Sequence, residues 1–402
     1  MEKALEGVKI LDFTWIAAGP LTTIPFAKFG AFVLKVESSK KPDGVRTSPP
    51  YLKGKAGLGR SLQFSNDNAD KYSVSINTKT PEGQALIFEL VKWADVVIEN
   101  MRPGAMDRMG FGYEKLKEVN PSIIMFRSSM AGQTGPESKL GATGTELQGY
   151  CGFTSVTGYP GDPIPPWCAY TDLVVPAIGI GMLAGALDYR RRTGKGQMID
   201  LSQLEASLQF LGTAFVDYFA TGHVQHCKGN MCDFAAPHGC YRCAGEDNWC
   251  TIACFTDEEW NACVNVMGNP AWASDPKFAT LVGRKKHEEE LNRNIEAWTS
   301  DKDRLDIMQM MQAAGVEAGY VETAEDLLNE PQMLATDFLK VLDVGDGCTM
   351  SHMGQAFQLS KTPYKTTRTG PQLGEHTDYV CQNILHMDDE RFVDLFSKGV
   401  FE

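Results

Sequence analysis

Histidine is missing from the first 222 of the 402 residues; all seven lie at or beyond His223. This excludes an imidazole proton shuttle from the N-terminal half of the chain. The glycine fingerprint of a dinucleotide fold is missing too. The turn after the first apolar run reads Ala17-Ala-Gly-Pro20, not Gly-x-Gly-x-x-Gly, so no nicotinamide or flavin cofactor is signalled. No apolar run reaches the roughly 18 residues of a membrane span. Met1-Glu-Lys-Ala-Leu-Glu-Gly7 carries neither a basic n-region nor an apolar h-region, so a cytoplasmic protein with no membrane partner is expected. Basic residues are in the minority, 38 against 51 acidic ones for a net charge of −13, which argues against nucleic acid as a partner.

Eleven cysteines without an export signal read as free thiols of a reducing compartment. Seven fall between Cys227 and Cys263, with His223, His226 and His238 nearby. Only one Cys-x-x-Cys occurs there, Cys240 to Cys243, with no second pair at zinc-finger spacing, and residues 239–254 alternate as a hairpin does. The stretch is read as a β-hairpin with no metal.

What is present is the composition of a globular protein, 43% hydrophobic and 22% charged, long enough for two cores. Val8–Phe13 and Ala31–Val36 read as strands around a helix that opens at the Ala17–Pro20 turn and runs through Phe29. Tyr72–Asn77, Asp95–Glu99, Ile123–Arg127 and Gly196–Ser202 read as further strands, with helices from Lys79 through Trp93, Met106 through Val119 and Gln203 through Tyr218. This alternation predicts an α/β fold with a Rossmann-like sheet, in which ligands sit at the carboxyl edge of the strands. The character changes near residue 222 to the cysteine-rich hairpin and charged helices. The expected layout is a large domain at 1–221, a small α+β domain at 222–335, and a linker with return to the large domain at 336–402. No repeat or low-complexity stretch occurs.

One carboxylate stands out by its position. Asp172 opens a run with no charged side chain from Leu173 to Leu187; Asp188 and Arg190, Arg191 and Arg192 crowd the end, and Gly194 supplies the stop. The pattern predicts a buried helix with Asp172 at its mouth, capped by backbone N–H groups and kept ionised by the helix dipole. Taken alone, Asp172 is either a helix cap or a reactive group. Between Lys35 and Lys71 lie eight basic residues, Lys35, Lys40, Lys41, Arg46, Lys53, Lys55, Arg60 and Lys71, which form either an anion-binding patch or a solvated face. Small residues at Ala17-Ala18 would let a ligand approach the backbone at a helix N-terminus. Lys139 lies in a glycine-rich loop, Gly132–Gly144.

Together with Asp172, the segments Leu11–Pro20, Lys79-Thr-Pro-Glu-Gly83, Asp95–Gly104 and Met106-Asp-Arg-Met-Gly-Phe111 resemble the class III coenzyme A transferases, the family of formyl-CoA and carnitine CoA transferases, from about Leu5 to about Val380. The resemblance implies that Asp172 is the nucleophile that carries the acyl group. It also implies that Asn100, Met101 and Arg108 wall the CoA site, with Lys71, Ala18 and Lys139 as further contacts. No permanently bound cofactor or metal is implied; the CoA thioester is a substrate. The implied assembly is an interlocked dimer, of two copies or of this chain with a related subunit.

Two other readings belong to the same fold. An α-methylacyl-CoA racemase epimerises the carbon beside the thioester with an opposed His and Asp, but the stretch matching its histidine motif reads Gly141-Ala-Thr-Gly-Thr-Glu146. A non-catalytic acyl-CoA-binding subunit would not need Asp172. Against the formyl-CoA transferase pattern, Ala17 replaces Gln and Ser38 replaces Arg, while Trp15, Tyr51, Phe64 and Trp167 supply aromatic surface or core. These departures suggest an apolar acyl site, a succinyl-CoA donor and an aromatic succinate such as benzylsuccinate as acceptor.

Overall fold

A computed structural model describes residues 3–164 and 168–402. Six short strands are rich in β-branched and other apolar residues: β1 (Lys9–Asp12), β2 (Phe32–Glu37), β3 (Tyr72–Ser75), β4 (Val96–Glu99), β5 (Ile124–Ser129) and β6 (Met198–Ser202). Every side chain of β4 and β5 is buried, as in a sheet covered on both faces. The strands form one sheet in the order β3-β2-β1-β4-β5-β6, all neighbours parallel. This is the doubly wound order, and it reverses between β1 and β4.

Helices fill the crossovers: α1 (Ala18–Lys28), α2 (Leu62–Asp67), α3 (Pro81–Trp93), α4 (Ala105–Arg108), α5 (Tyr113–Val119), α6 (Gly144–Tyr150) and α7 (Tyr170–Thr193). α3 starts where Thr80 accepts the N–H of Gly83 and Pro81 presets the first turn. The single helix expected from Met106 to Val119 is broken into α4 and α5. Gly110 takes a left-handed φ of +90°, which turns the fully buried Phe111 into the core against Phe13 and Phe88. The helix expected from Gln203 to Tyr218 also breaks, into Gln203–Leu208, a 3-10 turn and Gly212–Thr221.

The chain divides into two compact units. The first holds the six-stranded sheet and takes back residues 332–402. There the hairpin of β10 (Leu339–Gly345) and β11 (Cys348–Met353) is followed by a segment that covers the free edge of β3, with the His376 N–H donating to Ser73 O at 2.9 Å. The second unit comprises residues 154–164 and Val224–Pro331, so it draws in a short segment read as part of the large domain. Its sheet pairs β7 (His238–Arg242), β8 (Trp249–Ala253) and β9 (Glu317–Tyr320) antiparallel. Cys243, Cys250, Cys254 and Cys263 are buried in its core as small hydrophobes, burial pushing the Cys250 thiol up and a hydrogen bond with Cys263, then burial, pushing up that of Cys254. Among the described residues no cluster of His, Cys, Asp or Glu has the geometry of a metal site.

Candidate active site

Helix α7 sets the place of Asp172. At its C-terminal end Arg190 pairs with Asp95, just before β4, at 2.9 Å and donates to Ser122 O, just before β5, at 2.7 Å. The last turn therefore sits at the amino edge of the sheet, and the first turn, with Asp172, at the carboxyl edge. Between them Gly179 lets the helix lie against Phe126 of β5 and Thr22 of α1; a Cβ there would fall 3.0 Å and 3.3 Å from these side chains. The helix is not buried throughout, as the sequence suggested: Leu173 and Met182 are half exposed. By length and composition α7 is apolar enough to cross a membrane. Its packing on β5 and α1 is that of a core-facing helix.

Asp172 is the third residue of α7 and does not cap it; the cap position is Ala169, which gives no side-chain bond. The expected N–H bonds to its carboxylate are absent among the described residues. Burial, with no cation to offset it, pushes the Asp172 carboxyl up to about 6. The carboxylate lies against the first turn of α6, where Cβ on Gly144 would be 2.5 Å from Oδ2, and the Thr171 hydroxyl donates to Gly144 O at 3.2 Å. At neutral pH the group is still mainly ionised, helped by the positive ends of two helices, and more basic than an ordinary Asp.

At the switch point between β1 and β4 the loop before α1 is pinned by side chains. The Asn100 amide grips Trp15 at both ends, Oδ1 accepting its N–H and Nδ2 donating to its carbonyl, each at 2.8 Å. Asp43 Oδ1 accepts the N–H of Ile16 at 3.0 Å and holds it at a left-handed φ of +69°. Asn100 therefore acts on the loop's backbone. Met101 packs on the core with its N–H on Glu99 at 2.7 Å, and Ala18 is the buried first residue of α1. Arg108 ends α4 with an exposed guanidinium, and Lys139 is exposed on its loop.

Lys71 is placed differently from the ligand contact expected. It is buried, and its ammonium donates to Asp12 Oδ2 (3.1 Å), Pro20 O (3.1 Å) and Asn68 Oδ1 (2.9 Å), which uses all three protons. Burial would raise the Asp12 carboxyl, but Lys71 and Lys35 draw it below the ordinary range. Lys35 and Arg46 are internal as well, paired with Asp43 and Glu37. The eight basic residues are thus not one patch. Lys41 stays exposed, 4.8 Å over the Trp15 ring, and Arg102 packs on Gly141 of the Lys139 loop. Phe64 is core, stacked under Arg46 at 3.8 Å, while Trp167 lies outside the described residues. Gly144, Gln148 and Arg102 were not singled out in the sequence, although Arg102 had a signal in its place in the Asn100–Gly104 turn; Lys41 was, as one of the eight basic residues.

Comparison with known proteins places the chain in a family. The profile described as CoA-transferase family III matches residues 5–377. A succinyl-CoA–D-citramalate CoA-transferase of Chloroflexus aurantiacus is 32% identical over 401 residues, 99% of this chain and 98% of its own. The beta subunit of a succinyl-CoA–L-malate CoA-transferase from the same organism is 31% identical over 402 residues, 98% of each chain. The crystal structure of a CAIB/BAIF family protein from Brucella suis matches with a TM-score of 0.86 at 29% identity, covering 94% of this chain and 99% of that one.

Proposed function

The chain belongs to CoA-transferase family III, enzymes that move CoA between an acyl-CoA and an acid, and from this we propose that it uses succinyl-CoA as donor and Asp172 as covalent carrier. The observation that carries the reading is the Asp172 carboxylate, set by α7 over the carboxyl edge of the sheet with its basicity raised by burial. A carboxylate oxygen attacks the thioester carbonyl and expels CoA thiolate, leaving a mixed anhydride. The thiolate attacks the aspartyl carbonyl, releasing the donor acid and leaving an aspartyl-CoA thioester. The acceptor carboxylate attacks that thioester, and the thiolate then takes the acceptor acyl group, restoring Asp172. Nucleophile and leaving group exchange at each step, so no net proton, water or oxidant enters. The exposed Arg108, Lys139, Lys41 and Arg102 are the proposed phosphate partners, and Asn100 shapes the loop beside them.

Both relatives described above are named for succinyl-CoA and a hydroxylated dicarboxylate. With Phe64 committed to the core, a small dicarboxylate is the acceptor class we favour over an aromatic succinate. The racemase reading needs an imidazole opposite Asp172, and the first turn of α6 presents Gly144 there. We further propose a dimer, with a second copy or a related subunit. It is supported by apolar side chains on Gly212–Thr221 that one chain leaves open, Phe219 being 83% exposed. The test of the covalent reading is to quench protein with succinyl-CoA, treat it with hydroxylamine or borohydride, and map the product by mass spectrometry. A single modified carboxylate at Asp172 is expected; active exchange with Asp172 never modified would reject the reading.

A further inference from the structure

We propose that Gln148 is a positioning residue for the transfer reaction, holding the turn that aims Asp172. Gln148 is completely buried on α6, and its Nε2 donates to the Cys168 carbonyl at 2.8 Å. Cys168 stands at a φ of +54°, a left-handed conformation unfavourable for a side chain of its kind, and its carbonyl also accepts the Tyr170 N–H at 3.0 Å. The turn from Cys168 to Asp172 is therefore tied to α6 twice, by the Gln148 amide at the strained Cys168 and by the Thr171 hydroxyl on Gly144 O. A carbonyl only accepts, so the N–H end of the Gln148 amide must face Cys168, and its oxygen points elsewhere.

That oxygen is the second observation. Among the described residues, Gln148 Oε1 is buried without a hydrogen-bond partner. A residue present only to fill this space would be apolar, because an unpaired buried acceptor is unfavourable. The arrangement makes sense when the N–H is what is needed, and its target is the backbone four residues before Asp172. From the other side Gly144, on the same helix, leaves the room that the Asp172 carboxylate occupies. One helix thus supplies both the grip on the turn and the space for the nucleophile.

The inference rests on Asp172 being the acyl carrier. Its test uses the full chain with succinyl-CoA and isotopically labelled succinate, rates being taken per folded molecule at a temperature where circular dichroism shows each variant folded. Gln148→Met removes both polar ends at similar volume, and Gln148→Glu keeps an acceptor but no N–H. Both are expected to lower kcat by about 30- to 100-fold, the scale of a misplaced reacting group, with KM for succinyl-CoA within about twofold. The acid limb of their kcat/KM profiles should move to lower pH as water reaches the loosened carboxylate. Wild-type kcat in Gln148→Met overturns the inference, as does a loss confined to KM. If wild-type protein is still trapped at Asp172 in that case, the covalent reading stands and only the role of Gln148 falls; failure to trap at Asp172 removes both.

Discussion

A Cβ built on Gly144 falls 2.5 Å from Asp172 Oδ2 and 2.9 Å from its Cγ. The first turn of α6 and the Asp172 carboxylate share a space with no room for a methyl group. Gly144→Ala must therefore push the carboxylate aside or open the contact with Ala169, whose Cβ is also 2.5 Å away. We expect about 1–3 kcal/mol of overpacking cost and a kcat lower by about 100-fold, as for an ångström-scale displacement. Steady-state kinetics and urea unfolding check both.

Asp172→Asn should abolish transfer, because an amide forms no anhydride. It should also stabilise the protein. The folded carboxyl titrates near 6, above its unfolded value, so its ionisation opposes folding and the contribution of Asp172 to stability falls as pH rises between about 4 and 6. A neutral Asn avoids this. The variant is expected to be more stable at pH 8 by about 1–3 kcal/mol, with the difference gone below about pH 4. Unfolding curves at the two pH values decide; equal stability at both would sink the account of Asp172 burial.

The same titration governs rate. Only the carboxylate attacks a thioester, so kcat/KM should fall as pH drops through about 6, tenfold per unit below it, and flatten above about 7. An acid limb at about 4 would mean that Asp172 is solvated in the working enzyme.

Arg108→Ala should weaken CoA binding by about 1.5–3 kcal/mol, the loss of a charge-assisted bond to phosphate, leaving the melting temperature unchanged because the guanidinium is exposed. Calorimetric titration with CoA showing wild-type affinity would remove Arg108 from the site.

Lys71→Met should do the reverse. It removes the ion-pair partner of buried Asp12, leaving Lys35 to face the carboxylate, and should cost about 3–5 kcal/mol of stability, while CoA affinity of the folded fraction stays near wild type. A large loss of affinity at unchanged stability would return Lys71 to the ligand site.

Much of the large unit was legible in the sequence because its signals are local. Strands such as Val96–Glu99 are short continuous apolar runs, Thr80-Pro81 is a helix start, and Asp172 is the single charge at the head of an apolar segment. The breaks at Gly110 and Gln209 were not legible, because a helical pattern on both sides outweighs one glycine until the core claims Phe111.

The sequence by itself determined the alternating α/β order and the family, and it singled out Asp172, the carboxylate proposed here as acyl carrier. Only the tertiary structure decided which charges stay exposed and which hold the frame. Lys71 and Arg108 are equally basic in the sequence, yet one is sealed against Asp12 and the other is exposed, because an ammonium taken out of water must be met by acceptors, and Lys71 has three. It decided, too, that Asp172 is no cap, and that Gly144 and Gln148, some two dozen residues earlier, fix its surroundings. Contacts between residues distant along the chain leave no periodic mark in it.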